Sequence, residues 1–127
     1  MRKLVIACGL IVGALVGATA FAGPLEDGMA LYNRGDYVPA MALFRPLARA
    51  GDARAQAAIG AMYRKGQGVR KSAAHAFMWL SLASARGDAK AKADVAEMSR
   101  TISAEELAQA REMMQACEAS DYRNCEY

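Results

Sequence analysis

Arg49-Ala50-Gly51-Asp52-Ala53-Arg54-Ala55-Gln56-Ala57 and Ala85-Arg86-Gly87-Asp88-Ala89-Lys90-Ala91-Lys92-Ala93 are two versions of one stretch, set 36 residues apart. The same offset pairs Ala40 with Ala76, Leu43 with Trp79, Phe44 with Leu80, Ile59 with Val95 and Met62 with Met98. A fixed period of this length marks an array of helical hairpins, whose units bury their apolar faces only by stacking. The Gly-Asp pair supplies the punctuation. Glycine can take the left-handed conformation that ends one helix, and the aspartate carboxylate caps the next.

Working outward from these corners gives helices near 25–34, 38–50, 53–65, 73–86, 89–100 and 104–118, or three hairpins. The last begins with Ser103 and Glu106, a capping box in which each side chain satisfies the other's free amide. Its Leu107, Ala110, Met114 and Cys117 form one stripe, with Glu105, Gln109 and Glu112 away from it, as a terminal cap requires. The fourth helix instead carries Phe77, Met78, Trp79, Leu80 and Leu82 almost all round and is expected at the centre of the core. The expected fold is therefore all-α, an α/α superhelix of about three hairpins over 23–118, followed by a tail over 119–127.

The first residues read as an export signal. Arg2 and Lys3 give a basic start, 4–16 is uncharged and apolar, and Ala20-Phe21-Ala22 offers small residues at cleavage spacing, so cleavage is expected after Ala22. A retained anchor is the rival reading, since the uncharged run approaches the lower limit of roughly 17 residues for a spanning helix. Its Gly and Ala content and its cleavage site weigh against that. Lipidation at Cys8 would require processing before most of the apolar run. Loss of Arg2 and Lys3 lowers the basic residues from 16 to 14 against 13 acidic ones, a net charge of +1. No basic run is present to mark a nucleic-acid or polybasic membrane surface, so neither partner is expected.

Ala55-Gln56, Ile59-Gly60, Met62-Tyr63, Gly66-Gln67-Gly68-Val69, Ala76, Trp79, Leu82-Ala83 and Gly87 together resemble the Sel-one-like repeat (SLR) family, a relative of the tetratricopeptide repeat. The resemblance is dense over 53–91. In physical terms Gly60 permits close helix approach near Ala76, Tyr63 and Trp79 fill the space between hairpins, and Gly66 and Gly68 allow a compact turn from which Val69 folds back. Ser72 stands where the family often has an acid, and either can cap a helix. The first unit keeps Tyr32, Gly35 and Ala40 with a shorter, tetratricopeptide-like turn, while Ser99 and Ile102 depart from the pattern in a worn third unit.

No constellation for chemistry is evident. His75 is the one histidine and is expected on a solvated surface, without partners for acid-base work or a metal. Gly66-Gln67-Gly68 follows a helix and lacks the Lys-Ser/Thr of a phosphate loop. The methionines suggest copper, but Met62, Met78 and Met98 fall on core positions. No cofactor is expected. In an exported chain Cys117 and Cys125 are expected to form a disulfide that staples the tail, contributing about 2–3 kcal/mol by loop entropy. A secreted, cysteine-rich branch of the repeat family has pairs at similar spacing, and some of its members are described as binding or hydrolysing β-lactams. That resemblance implies the alternative of a β-lactam-binding or peptidoglycan-related hydrolase. Against it, Ser72, Ser81, Ser84, Ser99, Ser103 and Ser120 all lack a Ser-x-x-Lys context.

The architecture favours binding. Away from the core stripe the third helix offers Arg54, Ala58, Ala61 and Lys65, with repeat equivalents Ala30 and Arg34 before it and Lys90, Asp94 and Glu97 after it. Small residues between charges of both signs suit an extended or helical segment of another envelope protein. The expected protein is thus periplasmic or secreted, non-catalytic, and engaged in protein-protein interaction.

Overall fold

The computed structural model describes residues 23–125. The export-signal, anchor and Cys8 readings concern 1–22 and lie outside the described residues. The protein is all-α, with α1 over Pro24–Asn33, α2 over Tyr37–Arg49, α3 over Ala53–Lys65, α4 over Ala73–Ala85, α5 over Ala89–Met98 and α6 over Ala104–Ala119.

Three Gly-Asp corners end their helices in the same way, although Asp36, unlike Asp52 and Asp88, makes no side-chain cap to the helix that follows. Gly35, Gly51 and Gly87 have φ of +84°, +91° and +97°. At each corner the glycine amide and the aspartate amide reach back to carbonyls of the last helical turn, as in Gly51 to Ala48 at 3.0 Å and Asp52 to Leu47 at 3.0 Å. This is the Schellman arrangement, which satisfies carbonyls the helix leaves free. Asp52 then accepts from the amides of Arg54 and Ala55, and Asp88 from that of Ala91. Ser103 and Glu106 form the capping box of α6 with both of its hydrogen bonds.

α5 ends two residues earlier than its apolar pattern suggests. The Ser99 hydroxyl donates to the Val95 carbonyl at 2.7 Å, and Arg100 and Thr101 make tight bonds to Glu97 and Met98. A side chain competing for the ladder carbonyl is a local reason for the helix to stop.

α4 is the centre of the core: Ala74, Ala76, Phe77, Met78, Trp79, Leu80, Leu82 and Ala83 are all buried, and it packs against α3, α5 and α6. On the other side α2 packs against α1 and α3, burying Met41 and Phe44. Three sequence expectations need correction here. The third pair of helices is not closed as a hairpin: α6 has its main packing on α4, because α5 buries only Ala91 and Met98. On α6 the buried stripe runs through Ala110, Met113 and Cys117, with Leu107 and Met114 half-buried at its margin. Gly60 makes its close approach at Leu80, one turn beyond Ala76; a Cβ on Gly60 would lie 2.6 Å from Leu80 Cγ and 3.1 Å from the Leu80 amide nitrogen.

Two further ties hold the units together. The Gln67 side chain accepts from Tyr32 Oη at 2.7 Å and donates to Tyr37 Oη at 3.2 Å, so the α3–α4 turn is pinned to the α1–α2 corner. At the other end Cys117 and Cys125 are joined in a disulfide, both sulfurs buried. The turn between them places Tyr122 under the Arg86 guanidinium, 4.9 Å from ring centre to Cζ.

Candidate functional site: a groove across the odd-numbered helices

An open groove of about 690 Å3 runs across α1, α3 and α5. Because α2 and α4 lie between consecutive odd helices in sequence and take most of their packing, the odd helices contact one another little and leave this concavity between them. Ala30 comes from α1, Arg54, Ala58, Ala61 and Lys65 from α3, and Lys90 and Asp94 from α5. Those seven of the nine expected residues share one surface. Arg34 does not line it: the α1 C-terminus turns away there, and its guanidinium sits 3.4 Å from the Asp36 carboxylate beyond the corner.

Sequence reasoning passed over the apolar part of the lining. Leu25, Met29 and Tyr32 form an i, i+4, i+7 stripe on α1 that borders the groove, with Ala57 on α3 and Ala91 on α5. The stripe is visible in the sequence, but it reads equally well as a core face. Met29 is exposed, whereas Leu25 is buried beneath it.

The charges are balanced, Glu26, Asp88 and Asp94 standing against Arg54, Lys65 and Lys90. Among the described residues three ion pairs join neighbouring walls. Arg54 reaches Glu26 at 3.9 Å between two well-exposed side chains, a pair worth little in water. Arg64 is better placed, at 3.5 Å from Asp94 and 3.0 Å from Glu97, with Lys90 on Asp94 at 2.9 Å. Asp94 is mostly shielded in this network, which fixes α5 against α3. Glu97, grouped with the binding face in the sequence, therefore belongs to the tie between helices.

A second, shallower concavity of about 440 Å3 is lined by Tyr63, Val69, Arg70, Lys71, Ser72 and His75. Here the expectation of a solvated His75 is corrected. Its ring is half-buried, stacked on Tyr63 with centroids 4.7 Å apart, and its Nδ1 lies 2.8 Å from Ser72 Oγ. The stacking partner comes from α3, which is why residue spacing along α4 did not reveal it. Ser72 Oγ also accepts from the His75 amide, capping α4.

Met62, Met78 and Met98 are buried in the core. Among the described residues no group of three or more His, Cys, Asp or Glu side chains is placed to hold a metal ion. No described helix is long and apolar enough to cross a membrane. Comparison of the chain with protein-family models, with curated proteins and with solved structures returned no match.

Proposed function

We propose that this chain is an exported, non-catalytic repeat protein of the Sel-one-like type, whose stacked helix pairs form a short superhelix that holds a segment of another envelope protein. The observation that carries the reading is the groove across α1, α3 and α5, with its apolar wall at Leu25, Met29 and Tyr32 and its small-residue floor. Alanines at 30, 57, 58 and 61 allow a partner backbone to come close, and charges of both signs, among them Glu26, Arg54, Lys65 and Lys90, can pair with its flanks. The disulfide between Cys117 and Cys125 supports export to an oxidising compartment. The Schellman corners at 51 and 87, set 36 residues apart and each followed by a capping aspartate, support the repeat assignment.

The test is co-purification from envelope extract with the full chain and with an Arg54→Glu, Lys65→Glu variant of matched thermal stability. The expected result is a partner held by the first and lost by the second; an unchanged set of partners removes this groove as the site. Nitrocefin turnover by the same preparation, abolished by Ser72→Ala, would replace the binding reading with the hydrolase.

A further inference from the structure

We infer that Met29 is a methionine-oxidation site through which peroxide-class oxidants alter the groove; the second half of this inference rests on the binding reading above. The first half stands on the distribution of sulfur alone. Met29 is 39% exposed, while Met41, Met62, Met78, Met98 and Met113 are 7% exposed or less and Met114 is half-buried. Cys117 and Cys125 are joined to one another and present no thiol. Oxidant reaching the folded domain therefore meets one open, reduced sulfur among the described residues, and it lies in the groove wall.

In the reaction the thioether sulfur attacks one oxygen of hydrogen peroxide. The S–O bond forms as the O–O bond breaks, and the departing hydroxide takes the proton left on the transferred oxygen, giving water. Sulfur loses two electrons and peroxide gains them. The product is a polar, chiral sulfoxide in place of a flexible apolar side chain. At Met29 this puts an S=O dipole between Leu25 and Tyr32, on the wall that an apolar segment would cover. Burial of that wall then requires desolvating the dipole, so apolar occupants bind less well.

The experiment treats the full chain, purified folded from the cell envelope, with hydrogen peroxide and follows each methionine by peptide mass spectrometry. Oxidation of Met29 is expected to run at least about fivefold faster than that of Met62, Met78 or Met113, the ratio of 39% to 7% exposure. Equal rates in the folded protein, or a first oxygen taken up just as fast by Met29→Leu, overturn the assignment. Groove coupling is read with the amphipathic, anionic dye 1-anilinonaphthalene-8-sulfonate, whose aromatic rings fluoresce on apolar surface. Its fluorescence should fall when the unmodified chain is oxidised at Met29, and peroxide should leave the signal of Met29→Leu where it started. Selective oxidation with unchanged dye fluorescence overturns the coupling. A chain that binds no dye before treatment counts against the groove reading itself, while fast oxidation of Met29 in that sample upholds the site.

Discussion

Gly51 and Gly87 occupy equivalent corners and offer an internal control for what each corner does. Both need a left-handed backbone, with φ of +91° and +97°, so alanine at either position carries a strain of roughly 1–2 kcal/mol. Their surroundings differ. A Cβ on Gly87 would meet nothing within 4 Å, whereas one on Gly51 would lie 2.8 Å from Arg86 Nη1 and 2.9 Å from Arg86 Cζ. The guanidinium end is flexible and can retreat, but retreat takes it off the Tyr122 ring that it covers at 4.9 Å. Loss of that cation–π contact at an exposed site costs about 0.5–1 kcal/mol. Gly51→Ala should therefore destabilise by about 0.5–1 kcal/mol more than Gly87→Ala, which is roughly 2–8 °C in Tm for a domain of this size.

Urea unfolding of the two single variants, each repeated in an Arg86→Ala background, measures the excess directly as a double-mutant cycle. In that background the two glycine substitutions should cost the same. Equal costs with Arg86 in place, or an excess that survives its removal, would refute the proposed link between the α2–α3 corner and the disulfide-closed tail.

Three other outcomes are expected. Trp79→Ala removes a large side chain that is 1% exposed where α4 packs against its neighbours, and should cost about 3–5 kcal/mol in urea unfolding; a loss under about 1 kcal/mol would mean that α4 is not the core. Replacing Cys117 and Cys125 by serine should cost about 2–3 kcal/mol, and a reducing agent should lower the stability of the unmodified chain toward that of the variant without further effect on the variant itself. Ser103→Ala and Glu106→Ala should each cost about 1 kcal/mol, and the double variant less than their sum, because each side chain serves the other's amide in the capping box; strict additivity would argue against reciprocal capping.

Features governed by neighbours along the chain were legible in the sequence. The Gly-Asp corners, the capping box and the limits of α3 follow from local backbone chemistry, and the structure has them where the residues predict. Features governed by distant neighbours were not. Tyr63 comes from another helix to stack on His75, so no spacing rule along α4 could show that the histidine is half-buried. A long turn through Gly66 and Gly68 joins α3 to α4, and across that pair Gly60 meets Leu80, one turn beyond Ala76. On α6, Met113 and Met114 are adjacent apolar residues, and only the placement of α4 decides which of them is buried.

The groove lies between these two cases. A repeated corner after α1, α2 and α4 carries the chain back and forth, and the even helices bury their apolar residues between the odd ones. Odd helices are then left facing a common concavity, so residues off the core stripe of α3 and their repeat equivalents converge there without any contact having been read from the sequence. Arg34 fails to join them because it caps its helix, where direction is set by the corner and by Asp36 instead of by helical period. The apolar wall was overlooked for the complementary reason. Leu25, Met29 and Tyr32 have helical spacing that fits a buried face and a binding face equally well, and only the structure separates them, with Leu25 buried and Met29 exposed. Met29 is the exposed member of this stripe and lines the groove, so the open part of the α1 face is continuous with it.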